Sequence, residues 1–202
     1  MNLQNLATCP IALGIFLLTL VTSLLAWQYE DLYRLFVLRP WSLVRERRYY
    51  TLLTSGLIHA DLGHLFLNML SFYFFAFPLE TFIGHWQFLV IYGLSLILSD
   101  ITTVLKRRDD PNYYCLGASG AVTAVIFSFI IYKPWSWIIV FIVPVPAPIF
   151  AILYVAYSYY AARSRQGRVN HEAHLWGAVS GLALLALLAP SAYRNVLQAV
   201  GF

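Results

Sequence analysis

The 202-residue chain is 60% hydrophobic and 11% charged, with a mean hydropathy of +0.70. So few charges cannot cover a water-soluble domain of this size, whereas apolar runs of about 18 residues or more each cross a hydrocarbon core about 30 Å thick. The composition therefore excludes a soluble enzyme and predicts a polytopic membrane protein. Its net charge of +4 sits in loops, where it meets lipid headgroups and no nucleic acid.

The first apolar run, Pro10 to Trp27, ends at GlnTyrGluAsp. No positive side chain precedes it and it has span length, which predicts a retained span and no cleaved signal. From about Gln28 to Gly63 a polar, aromatic-rich loop carries arginines at 34, 39, 45, 47 and 48, and is expected to lie as an amphipathic segment among headgroups. A second span is predicted over about His64–Gly84 and a third over about His85–Leu105, after which LysArgArgAspAsp (106–110) returns to water.

The fourth span is predicted from Gly117 to Lys133. Pro144, Pro146 and Pro148 cannot continue a helix, so the fifth span is placed at Pro146–Ala162, behind an interfacial or re-entrant stretch from Pro134 to Val143. A polar loop at 163–168 leads to the sixth span, about His171–Leu188. Backbone groups in lipid must be satisfied locally, and these runs lack the alternation of barrel strands. The expectation is one domain, 1–202, an all-α bundle of six transmembrane helices. Cys9 and Cys115 stand in no metal or disulfide spacing.

Polar side chains inside spans are costly and each needs a reason. His59 and His64 enter the second span, Ser119 the fourth and His174 the sixth. Spans alternate direction, so the starts of even-numbered spans share one membrane face and these groups come to one depth. His64 and Asn68 are four residues apart and share a helix face. His174, Gly177 and Gly181 form a stripe on which another backbone can approach closely, and Gly117 and Gly120 beside Ser119 offer a smooth surface to match. Close packing of the fourth and sixth helices would bring Ser119 to His174.

A histidine within reach can take a serine's proton during attack, and a tetrahedral oxyanion then needs donors. The Ser119 backbone N–H, the His64 ring and the Asn68 amide are the available donors. Glu172 lies on a different helix face from His174, which favours a dyad over a triad. Bland readings stand beside this chemistry. Ser119 alone would pass as a packing residue, His64 with Asn68 as an interhelical hydrogen-bonding pair, and His59 and His171 as structural or interfacial. Glu80, near the far end of the second span, is expected to hold a neighbouring helix or backbone N–H groups. A rival chemistry is metal-dependent hydrolysis: HisGluAlaHis (171–174) is one residue short of the zinc helix motif, and His59 or His64 could complete three ligands.

HisAlaAspLeuGlyHisLeuPheLeuAsn (59–68), GlyAlaSerGly (117–120) and AlaHisLeuTrpGlyAlaValSerGly (173–181) resemble the rhomboid intramembrane serine proteases, across the six-span core and in order. ProLeuGlu (78–80) followed by Gly84 is also similar to the family's second-span ending. The resemblance implies Ser119 as nucleophile, His174 as general base, His64 and Asn68 as oxyanion-hole side chains, Gly117 in the supporting loop and His59 holding the first loop. It further implies cleavage of transmembrane or juxtamembrane segments of other membrane proteins, without metal or cofactor, at a site opening extracytoplasmically. For a bacterial source that means the inner or plasma membrane. A catalytically inactive relative that binds and escorts membrane proteins is the alternative.

The chain departs from the family pattern in two places. Tyr50-Thr51 stands where the family often has TrpArg, so first-loop anchoring is expected to differ. Thr123 stands one turn after the serine, where an aromatic often stacks on the base. The charge pattern also opposes the family's orientation: the first, third and fifth loops carry 5, 3 and 3 Lys and Arg, against Lys133 and Arg194 alone on the other face.

Overall fold

The computed structural model describes residues 8–140, 142–164 and 169–199; part of the predicted 163–168 loop lies outside them. In chain order the elements are α1 (Pro10–Gln28), α2 (Glu30–Phe36), α3 (Pro40–Arg45), α4 (Thr51–Thr54), a 3-10 turn (Ser55–Leu57), α5 (Leu62–Ile83) and α6 (His85–Arg107). There follow α7 (Ser119–Tyr132), β1 (Trp137–Val140), β2 (Val143–Pro146), α8 (Ala147–Ser164), α9 (His171–Leu188) and α10 (Ser191–Ala199). Among the described residues, α1, α5, α6 and α9 are long and apolar enough to cross a membrane, and α7 is a shorter apolar helix of 14 residues.

Three expectations need correcting. The fold is mostly helical but not all-α: residues 137–140 and 143–146 form an antiparallel hairpin that pairs Trp137 with Pro146 and Val140 with Val143. The alternating prolines that stop a helix are tolerated on an edge strand. The fourth helix is shorter than predicted, because Gly117 holds φ +107° two residues before its first turn and Lys133 leaves the helical region, at φ −129° and ψ 68°, at its end. The first loop is built from α2, α3, α4 and the 3-10 turn, and no single amphipathic segment runs through it.

Lipid gives no hydrophobic drive to helix association, so small residues and polar contacts must hold the bundle. A Cβ on Gly177 would run into the Gly120 backbone, and one on Gly181 into the Ala124 backbone. The main chains of α7 and α9 therefore touch. A Cβ on Gly120 would also strike Ser99, so α6, α7 and α9 meet at that residue. Ser180 Oγ donates to Ser95 Oγ at 3.1 Å, and Ser128 Oγ donates to the Gly181 carbonyl at 3.2 Å. Toward the other end, Phe72 packs edge-on against Phe77, Phe88 and Tyr92.

Glu80 is fully buried and acts as expected on a neighbouring helix. Its carboxylate accepts from Ile11 N at 3.1 Å and Ala12 N at 2.7 Å, capping α1, whose own N-cap Cys9 makes no side-chain cap bond. His85, one residue beyond Gly84, adds Nδ1 at 2.6 Å from the same carboxylate.

Candidate active site

Gly117 and Ala118 lead into Ser119, the first residue of α7. The Gly117 N–H donates to the Ser55 carbonyl at 2.9 Å, and the Ala118 N–H points to His59 Nε2 at 3.5 Å. His59 Nδ1 lies 3.1 Å from Ser23 Oγ, which itself donates to the Leu57 carbonyl at 3.2 Å. One tautomer satisfies the whole chain: Nδ1–H donates to Ser23 and Nε2 accepts from Ala118. Burial, with a smaller contribution from neighbouring His64, lowers the His59 pKa to about 3, so the neutral ring persists. Trp27 Nε1 donates to the His59 carbonyl at 2.7 Å. His59 thus ties α1 and the first loop to the serine loop.

The His64 ring lies against Gly117, close enough that a Cβ there would sit 2.6 Å from Cε1, and it meets the His59 ring edge-on at 4.8 Å. Asp61 caps α5 by accepting from His64 N at 2.8 Å. Asn68 is buried one turn below His64 and donates Nδ2 to the His64 carbonyl at 3.1 Å. Its amide is engaged within its own helix in this arrangement.

Asn170 caps α9 by accepting from Ala173 N at 3.1 Å, and donates Nδ2 to Thr103 Oγ1 at 2.8 Å. The Gly120–Gly177 contact then sets His174 beside the start of α7. Among the described residues, buried His174 Nε2 has no hydrogen-bond partner, and no bond joins it to Ser119 Oγ here. Glu172 faces away and pairs with Lys106 Nζ at 2.6 Å.

The structure therefore gathers Ser119, Gly117, His64, Asn68 and His59 at one end of the bundle, with His174 carried there by the Gly177 and Gly181 stripe. His171 packs edge-on against Tyr157 at 5.3 Å. Among the described residues no three His, Cys, Asp or Glu side chains stand close enough to hold a metal ion, so the three-ligand reading of the histidines has no geometry behind it. Cys9 and Cys115 are both free thiols.

The sequence reading missed two residues at this site. Tyr154 of α8 stacks on His174, with ring centroids 6.1 Å apart and planes at 27°. Its hydroxyl lies 2.9 Å from Thr123 Oγ1, which donates to the Ser119 carbonyl at 2.8 Å. An aromatic does cover His174, from another helix than the one expected. Asp100 of α6 lines a cavity of about 20 Å³ with Ser119, Gly120, Cys115 and Asn170, room for about one water. An ionisable residue within the third apolar run was signal enough to find Asp100; Tyr154 carried none, being one of 14 tyrosines.

The first loop is anchored through its backbone and Arg45. Leu38 bridges Cys115 backbone to backbone, at 3.0 and 3.2 Å, and Arg45 donates to the Arg108 carbonyl and the Asp109 carboxylate. Both contacts fasten the first loop to the third.

A model of the Rhomboid domain matches residues 46–191, well over half of the chain. The chain belongs to the rhomboid family. It is 26% identical over 163 residues, 73% of this chain and 48% of the relative, to "RHOMBOID-like protein 12, mitochondrial" of Arabidopsis thaliana. It is 37% identical over 79 residues, 39% of each chain, to "Putative rhomboid protease YdcA" of Bacillus subtilis (strain 168). To "Rhomboid protein 1, mitochondrial" of Saccharomyces cerevisiae it is 29% identical over 140 residues, 65% of this chain and 40% of the relative. The match thus takes in less than half of each relative's length. Two of the three carry mitochondrial names, so these relatives do not single out a bacterial membrane. This rhomboid is embedded in a membrane.

Proposed function

We propose that this rhomboid is an intramembrane serine endopeptidase acting through a Ser119–His174 dyad on transmembrane or juxtamembrane segments of other membrane proteins. The reading takes α1, α5, α6, α7, α8 and α9 as six membrane crossings. One observation carries it: Ser119 starts a helix whose backbone touches that of the helix bearing His174, through Gly120 and Gly177.

In the proposed reaction Ser119 Oγ attacks the scissile carbonyl carbon and its proton passes to His174 Nε2. The first N–H groups of a helix have no intrahelical partner, so those at the start of α7 point at the developing oxyanion, with the His64 ring beside them. Asn68 would join once its amide leaves the His64 carbonyl. Collapse of the intermediate gives the nitrogen of the leaving peptide the proton held on His174, leaving an acyl-Ser119 ester. A water then attacks that ester, loses its proton to His174, and releases the new carboxyl terminus as Ser119 regains its proton. No metal or cofactor takes part.

The chemistry is tested by reconstituting the full chain in vesicles with a single-span reporter substrate bearing a helix-breaking segment. Cleavage is expected in the wild type, insensitive to chelators, and lost in Ser119→Ala and in His174→Ala. Cleavage surviving Ser119→Ala overturns the proposal, and loss on chelation favours a metal hydrolase. A folded wild type that binds substrate but never cuts it is an escort protein.

A further inference from the structure

We infer that the β1–β2 hairpin is a lipid-inserted anchor, seated at the hydrocarbon boundary of the leaflet that receives the C-terminal end of α7. The inference stands apart from the protease reading. The Ala147 N–H donates to the Ser136 carbonyl at 2.9 Å, which puts Ile138–Val145 and Val140–Val143 in the hydrogen-bonded pairs. Pro144 and Pro146 oppose Ile139 and Trp137 in the remaining pairs, so the outer edge of β2 has no N–H to leave unsatisfied in a water-poor layer.

The side chains agree with that placement. Ile138 is buried against the bundle, while Trp137 and Ile139 on the opposite face are 66% and 71% exposed and Ile142 at the turn is 90% exposed. A hairpin with its outer face in water alternates apolar with polar residues, yet no charged residue occurs between Lys133 and Arg163. Depth supplies the second argument. The 14 residues of α7 rise about 21 Å, short of a hydrocarbon core of about 30 Å. The hairpin fills the depth that α7 leaves uncrossed. Trp135 and Trp137 bring indoles suited to the interface, and the same apolar surface continues onto Ile149, Ile152 and Leu153 of α8, each at least half exposed.

The test uses the full chain in phosphatidylcholine vesicles, with a nitroxide on Ile139→Cys in a Cys115→Ser background and on Asp109→Cys in the same background as a water-exposed reference. Collisions with oxygen should exceed those with a water-soluble nickel chelate, and nickel accessibility should fall several-fold below the reference. Nickel accessibility equal to the reference overturns the proposal. So does shielding from both reagents with spin–spin broadening, which would mean that β1 pairs with a second copy. Should Ile139→Cys not fold, tryptophan quenching by lipids brominated high on the acyl chain decides between the same outcomes. The quenchable share of emission should fall in Trp135→Phe/Trp137→Phe, and a share that stays level or rises contradicts lipid insertion.

Discussion

Tyr154 lies over His174 and is itself held by Thr123, whose hydroxyl is bound to the Ser119 carbonyl. The helix that Ser119 begins and the His174 ring are thus linked through a tyrosine on a third helix. Tyr154→Ala removes both stack and anchor and should slow cleavage about tenfold, the rate effect of about 1.4 kcal/mol. Tyr154→Phe keeps the stack, loses a hydrogen bond worth about 1 kcal/mol and should slow it less. Initial rates of substrate cleavage beside thermal unfolding midpoints check this; equal rates in the two variants would place the role of Tyr154 elsewhere.

Gly177→Ala places a methyl against the Gly120 backbone, which cannot move aside as a side chain would. Overpacking of this kind costs about 1–3 kcal/mol and here should also separate α7 from α9, lowering activity more than stability alone explains. Gly93→Ala on α6 meets nothing within 4 Å and serves as the silent control. Unfolding midpoints and cleavage rates of the two variants provide the comparison.

Glu80 holds the start of α1 far from the site. Glu80→Gln keeps the shape but loses charge-assisted bonds to Ile11 N, Ala12 N and His85, and should destabilise the protein by about 2 kcal/mol. His85 is largely exposed, so His85→Ala should cost less than half of that. Denaturation in detergent measures both.

His59 gives a pH dependence with a definite sign. Its pKa falls from 6.5 to about 3 on folding, so the unfolded chain binds the proton more readily. The stability tied to its neutral form is complete above about pH 6.5 and declines as pH drops toward 3, by at most about 1.4 kcal/mol per unit. His59→Gln should flatten that limb of the unfolding profile without shifting the alkaline side.

Orientation can be measured independently. The extracytoplasmic opening that the resemblance implies would, with six crossings, put both ends of the bundle on the cytoplasmic side, against the loop count of Lys and Arg. A carboxy-terminal reporter should be cytoplasmic, and an extracytoplasmic reporter reverses the assignment.

Much of the site was legible because its constraints are local or periodic. The spacing of Gly177 and Gly181 below His174 announced a backbone contact, and the start positions of alternate spans placed Ser119 beside His64. Glu80 was recognisable because a carboxylate in an apolar run must find donors. The hairpin was not legible: its alternating prolines rule out a helix but do not choose between a re-entrant loop and an edge strand. Tyr154 depends on how far α8 leans over α9, which no pattern within α8 records. Asp100 was visible as an acid in lipid, but its cavity beside Ser119 arises only from three elements meeting.

The central claim is that Ser119 is a nucleophile activated by His174. Labelling of the vesicle-reconstituted protein with a fluorophosphonate, followed by mass mapping of the adduct, tests it most directly. The account predicts a single adduct on Ser119, absent in Ser119→Ala and strongly slowed in His174→Ala. A folded wild type that takes no label, or a label that persists in Ser119→Ala, would contradict it.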